Sequence, residues 1–106
     1  MGGRSKKTKA LIEFTTQAEK DLKKLQKKLS TSVIDDFHIQ LESISDNPFS
    51  GKPLSGNLSG LYGIRFGGNY RIVYKVIRQD EDTIVRIFEI GDRKDIYKRT
   101  SRNLLL

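Results

Sequence analysis

Arginine and tyrosine recur in the second half of the chain at spacings that suit phosphate chemistry. Arg65 falls between Ile64 and Phe66, Arg71 and Lys75 alternate with Tyr70, Ile72, Tyr74 and Val76, and Arg86 stands between Val85 and Ile87. In an extended chain such alternation puts the cations on one face of a sheet. Arg93 and Tyr97 are four residues apart, the spacing that brings both to one side if the segment is helical. Arg65, Arg71, Arg93 and Tyr97 are therefore expected to converge on one concave surface. Several guanidiniums with a phenol suit the binding of a phosphate and the stabilisation of a phosphorane transition state. The tyrosine adds a stacking platform for a base or a carrier for a proton. Taken as pattern alone, the same residues also fit ordinary strand cations and a packed tyrosine.

Other chemistries find little support. The chain has no cysteine and one histidine, His38, so disulfides, thiol catalysis, cysteine-held metals and two-histidine ribonuclease chemistry are excluded. His38 borders an apolar stripe, where a histidine is expected to be packed. The glycines at 56, 60, 63, 67 and 68 fit neither phosphate-loop pattern, and the only adjacent carboxylates are Asp35-Asp36 and the turn run Asp80-Glu81-Asp82. No metal site or cofactor is expected. A net charge of +7 favours a polyanionic partner. The longest apolar runs have three residues, too short for a membrane span or a signal peptide, which leads us to expect a cytoplasmic protein.

The elements that must position these residues follow from periodicity. Residues 1–9, MGGRSKKTK, read as a flexible basic arm, and residues 10–106 as a single domain. Leu, Ile, Val and Phe supply 31 of the 106 residues, well above the roughly one-fifth below which a chain stays disordered. Ala10 to Phe14 is a short strand. Thr16-Gln17-Ala18-Glu19 matches a capping box, and Ala18, Leu22, Leu25 and Leu29 form the apolar stripe of a helix. Its other side carries Lys20, Lys23, Lys24, Lys27 and Lys28. Ser32 is placed to cap a second helix, with Asp35 and Asp36 in its first turn and Val33, Ile34, Phe37, Leu41 and Ile44 as its stripe. Ile39 points away from that stripe, and Asn47-Pro48 ends the helix.

Residues 47–60 hold both prolines and read as a loop. Tyr62 to Phe66, Tyr70 to Ile77 and Thr83 to Ile90 read as an antiparallel meander, joined at Gly67-Gly68-Asn69 and at residues 79–82. Gly91-Asp92 is expected to break the last strand, and Arg93 to Leu106 to form a short terminal helix or a tail. The order β-α-α-β-β-β predicts an α+β fold in which a helical hairpin packs on one face of an antiparallel sheet, leaving the cationic face open.

Three segments together resemble the RelE/ParE toxin superfamily. They are Leu54-Ser55-Gly56-Asn57-Leu58-Ser59-Gly60-Leu61-Tyr62-Gly63-Ile64-Arg65, then Asn69-Tyr70-Arg71-Ile72-Val73-Tyr74, then Ile90-Gly91-Asp92-Arg93-Lys94-Asp95-Ile96-Tyr97. Their order and spacing, more than any one of them, carry the likeness, which covers about residues 10–98. The resemblance implies a microbial RNase-like α+β domain and, for its RelE-like branch, a toxin of a type II toxin–antitoxin system that cleaves messenger RNA on the ribosome without a metal. It further implies that Arg71 holds the scissile phosphate, Arg93 stabilises the developing charge, Tyr97 stacks or moves a proton and Arg65 supplies a further cation. Lys52, Lys75, Arg86, Lys94 and Lys98 would hold the RNA. The partners so implied are an antitoxin protein, the ribosome and mRNA, with an assembly that meets operator DNA through the antitoxin.

The sequence departs from the family pattern in three ways. Gly63 stands where a cation is frequent, Asp92 where a histidine is frequent, and residues 47–60 hold no carboxylate. Two other readings stay open: a ParE-like inhibitor of DNA gyrase, and a degenerate nucleic-acid-binding member without activity.

Overall fold

The structure, a computed structural model, describes residues 9–104, so most of the basic arm and the last two leucines lie outside it. Strand β1 (Leu11–Phe14) leads into helices α1 (Thr16–Gln26) and α2 (Thr31–Asp46). Strands β2 (Lys52–Pro53), β3 (Tyr62–Phe66), β4 (Tyr70–Gln79) and β5 (Asp82–Asp92) follow, and helix α3 (Arg93–Leu104) is the last described element. The five strands form one sheet in the order β1-β5-β4-β3-β2. The meander is antiparallel as expected, but β1 lies parallel to β5, so the sheet is mixed. The helical hairpin between β1 and the meander is long enough for the crossover that a parallel pairing needs.

Both helix starts lie earlier than the caps read from the sequence. Thr15, extended, accepts the Ala18 amide proton on its hydroxyl, and Ser30 does the same for Val33. Either residue leaves its own hydroxyl facing the third amide of the helix, which Thr16 and Ser32, already inside it, do not. Leu29 falls beyond α1 yet still packs on the core. Asp36 faces the meander: its carboxylate accepts the Gly67 amide at 2.7 Å and the Gln40 side chain at 3.0 Å. These two bonds, the backbone one foremost, hold its pKa below the ordinary value, because they stabilise the charged form. Gly67 has φ +57° and a Cβ there would lie 2.5 Å from Val33 Cγ1, so only glycine lets the β3–β4 turn rest on α2.

The core on the helical face joins Ala18, Leu25, Phe37 and Ile44 to Phe66, Ile72, Tyr74, Val85, Ile87 and Ile90. Phe37 and Phe66 meet edge to face with centroids 5.2 Å apart. His38 is exposed, not packed, with its ring edge on Phe37. Ile39 is 61% exposed, as its place off the stripe predicted.

The opposite face is not left open. Gly91-Asp92 does not break β5, which pairs through Arg71↔Gly91 and Tyr70↔Asp92; α3 then turns back across the sheet. A second core forms there from Leu58, Leu61, Val73 and Ile96, flanked by Leu54, Phe88 and Tyr97. The β4–β5 register shifts at Val73/Tyr74, where Phe88 is the extra residue; this bulge puts Ile87 and Ile90 on the helical face although they are three apart.

Candidate functional site

The cationic face that α3 leaves uncovered lies over β3 and β4. Arg65 and Arg71 are direct cross-strand partners, and like charges so placed repel. Among the described residues neither has a carboxylate partner. Arg71 Nη1 donates to its own strand's Tyr70 carbonyl at 3.0 Å and to the Gly68 carbonyl at 3.3 Å, which holds the side chain back over the turn. On the outer side, Lys52 pairs with Gly63 and so shares the face with Arg65.

Lys52 reaches this place because Tyr74 anchors the loop before it. The Tyr74 hydroxyl donates to the Pro48 carbonyl at 2.8 Å and accepts the Gly51 amide at 3.0 Å. A Cβ on residue 51 would lie 2.5 Å from that oxygen, so Gly51 permits the approach. Burial raises the Tyr74 pKa, which keeps the phenol a donor. Tyr62 stacks on Tyr74 and Phe49 meets Tyr62 edge-on, a ladder that fixes the loop to the sheet edge.

Tyr97, half-buried on α3, leans over β3. A Cβ at residue 63 would lie 3.0 Å from its hydroxyl and 3.5 Å from its ring. The missing cation at Gly63 is therefore the space that the phenol uses, and Lys52 across the strand pair supplies charge beside it. Lys52, Gly63, Arg65, Arg71 and Tyr97 together line a cleft of about 370 Å³. Among the described residues no carboxylate lines it.

Arg93 does not line this cleft. It lies at the start of α3 in an adjoining hollow of about 580 Å³ with Asn69, Asp92 and Lys94. Its amide donates to the Asn69 carbonyl at 2.7 Å, and Asp92 caps the helix by accepting the Lys94 amide at 2.8 Å. Arg86 is drawn aside: its Nε and Nη2 donate to Glu13 on β1 at 3.1 and 2.9 Å. Lys75, across from Arg86, and Lys98 are exposed and line neither hollow. Sequence reasoning missed Tyr74 and Asn69, although both sit inside the segment Asn69-Tyr70-Arg71-Ile72-Val73-Tyr74. It also read Gly63 only as a loss. Among the described residues no three His, Asp or Glu side chains come together so as to hold a metal, and no helix is long and apolar enough to cross a membrane.

The chain and its fold have known counterparts. The family model of the ParE toxin of type II toxin–antitoxin systems matches residues 12–97. Toxin RelG of Mycobacterium tuberculosis is 36% identical over 89 residues, which is 83% of this chain and 95% of that protein. The toxin–antitoxin complex RelBE2 of the same organism superposes with a TM-score of 0.62 at 30% identity, covering 87% of this chain and 100% of that one. A mutant of Escherichia coli toxin RelE in the free state, at 24% identity, shares the fold with a TM-score of 0.66 over 90% of this chain and 97% of its own. With a family model spanning both the helical hairpin and the arginine-bearing meander, and a relative alike over most of its length, the chain belongs to the RelE/ParE superfamily of type II toxin–antitoxin toxins.

Proposed function

We propose that the cleft is the active site of an endoribonuclease that cuts messenger RNA on the ribosome. The observation that carries this reading is the facing pair Arg65 and Arg71, unneutralised by any described carboxylate, with Lys52 and Tyr97 on the same cleft. Two guanidiniums forced together gain most from a group with several anionic oxygens, and the phosphorane is richer in charge than the phosphodiester before it. In the reaction the ribose 2′-oxygen bonds to phosphorus and loses its proton, while the bond to the 5′-oxygen breaks and that oxygen takes a proton. The products are a 2′,3′-cyclic phosphate and a 5′-hydroxyl. Arg71 and Arg65 hold the phosphate, and Tyr97 stacks on a base or moves a proton with Lys52 beside it. Arg93, in the next hollow with Lys94, meets the developing charge from the rim and the RNA chain beyond it. Lys75 and Lys98 extend the cationic surface, and Arg86 joins it where the RNA displaces Glu13 from its guanidinium. No metal or cofactor enters.

With no carboxylate base in the cleft, much of the rate must come from RNA oriented by the ribosome. The toxin's partner would be an antitoxin that covers the basic surface, in an assembly reaching operator DNA through that antitoxin, and its place of action the cytoplasm. Cleavage of mRNA on programmed ribosomes, with the cut ends mapped, tests the reading: cyclic or opened 3′-phosphate ends support it. A second reading is favoured by the ParE description of the matching family, namely inhibition of DNA gyrase. Intact mRNA together with blocked supercoiling would decide for it.

A further inference from the structure

Arg99 is absent from the cleft, yet it is the side chain of α3 with the most bonds to the rest of the molecule. Its Nε donates to Glu89 Oε1 at 2.6 Å, and its Nη2 to Asp21 Oδ2 at 2.9 Å and to the Ile90 carbonyl at 3.2 Å. Both carboxylates are buried, Asp21 at 4% exposure and Glu89 at 3%. Asp21 Oδ2 also accepts the Ile90 backbone amide at 2.9 Å, and Glu89 Oε2 accepts the Asn103 side-chain Nδ2–H at 2.6 Å. The β1 pairing stops at Ile87, so β5 has a bare edge from there on, and these groups satisfy it. One guanidinium thus ties α1, β5 and α3 together.

The rotation of α3 about its own axis depends on this tie. Ile96 and Thr100 face the sheet at 1% and 0% exposure. The Thr100 hydroxyl is buried without a hydrogen-bond partner, so this contact is apolar and carries no direction. Beyond the Arg93 amide bond at the first residue of the helix, directional bonds come from Arg99 and Asn103, which are one turn apart, and from a long exposed contact of 3.4 Å between Asn57 and Ser101. Positions i and i+2 of a helix are about 200° apart, so Tyr97 projects on the side away from Arg99. A turn of the helix that loosens one swings the other. Gly91 allows the close seat, since a Cβ there would lie 3.2 Å from both Arg99 Nη2 and Ile96 Cδ1.

We infer that Arg99, held by Asp21 and Glu89, is a positioning residue that sets the rotation of α3 and with it the height of the Tyr97 phenol above Gly63. The inference rests on the reading of Tyr97 as a cleft residue. Lysine, a point charge on a flexible stem, cannot reach both carboxylates as the planar fork does.

The test uses the full chain with Arg99→Lys and, because removing the guanidinium alone would strand two buried carboxylates, the triple variant Arg99→Met, Asp21→Asn, Glu89→Gln. Cleavage on programmed ribosomes is measured beside the fluorine NMR spectrum of protein labelled with 3-fluorotyrosine, in which Tyr97→Phe identifies the Tyr97 resonance. Both variants are expected to lose about 10- to 100-fold in kcat, the penalty of a misplaced group, with KM little changed. The Tyr97 resonance should shift or broaden while those of Tyr62 and Tyr74 stay. In a Tyr97→Ala background the same changes at Arg99 should have no further effect on kcat. Unchanged Tyr97 resonances, or a full additional loss in the Tyr97→Ala background, would overturn the inference. If Tyr97→Ala itself cleaves normally, the reading of the cleft fails instead, and the fluorine spectrum still decides whether Arg99 orients the helix.

Discussion

Two arginines opposed across a strand pair are held in that place by the core behind them, since their own interaction is unfavourable. Ile64, Phe66, Tyr70 and Ile72 pack on the helical face, and strand alternation then sends Arg65 and Arg71 outward whatever their mutual repulsion. The expected signature is a substitution that damages chemistry and spares the fold. Arg65→Ala and Arg71→Ala should each lower the cleavage rate by about 10²- to 10³-fold, as loss of one charge-stabilising donor does. Thermal stability should stay the same or rise slightly through relief of the like-charge pair. Arg93→Ala, in the neighbouring hollow, should lower kcat less than either and also raise KM, since it meets both the developing charge and the RNA chain. Cleavage at the wild-type rate by the Arg65→Ala, Arg71→Ala double variant would remove these residues from the chemistry. Gly63 has a different signature. Gly63→Ala presses a methyl against the Tyr97 hydroxyl, so its effect on cleavage should be several-fold smaller in a Tyr97→Phe background; equal losses in both would show that the glycine serves the strand alone.

Among the elements, α2 is the one that carries both core and turn. Leu25 from α1 and Phe37 from α2 belong to one core under the sheet, and Leu25→Ala should cost about 2 to 5 kcal/mol in chemical denaturation; less than about half a kcal/mol would mean the helix face is misassigned. Asp36 docks the β3–β4 turn, and its lowered pKa fixes the sign of a pH effect. A carboxylate whose folded pKa lies below its unfolded one contributes stability that is present above the unfolded value, about 3.9, and lost as pH falls through the folded value. The stability advantage of wild type over Asp36→Asn should therefore shrink on acidification below about pH 4. An advantage independent of pH would assign it to geometry and not to charge. These elements also mark how far the sequence could be read. Period alone gave the hairpin, the meander and the cationic parity, because Leu22, Leu25, Phe37 and the alternating Tyr70 to Val76 segment carry strong local patterns. It did not give β2, two residues around a proline held by the Tyr74 hydroxyl, nor the parallel register of β1. Both depend on contacts far along the chain. The reach of β5 through Gly91-Asp92 was hidden for the same reason: the glycine that looked like a breaker is there for Arg99 and Ile96. In the site, Arg65, Arg71 and Tyr97 were legible as one surface and Lys52 only through the family resemblance, whereas the separation of Arg93, expected on that same surface, follows from where α3 begins its turn across the sheet.

For the whole molecule, charge separates two kinds of contact. The +7 net charge is unevenly used: Arg86 and Arg99 are paired with carboxylates, while the cleft cations and the α1 lysines enter no ion pair among the described residues. Binding of RNA should thus fall steeply with salt, with a logarithmic slope that counts the phosphates neutralised, each contributing about 0.7 for a single strand. Arg71→Ala should reduce that slope by roughly one such contribution, and Glu13→Ala, which frees Arg86, should leave it unchanged or raise it. The chemical step makes an independent demand. At fixed saturation, with ribosomes kept intact by excess magnesium, a chelator selective for zinc and other transition metals should leave the cleavage rate unchanged, since the proposed proton and charge transfers use only Arg65, Arg71, Tyr97, Lys52 and Arg93. A rate that collapses with the chelator and returns with added metal would refute the metal-free route even if the salt slope behaved as expected, because phosphate binding by cations and transfer chemistry at phosphorus are separable functions of one surface.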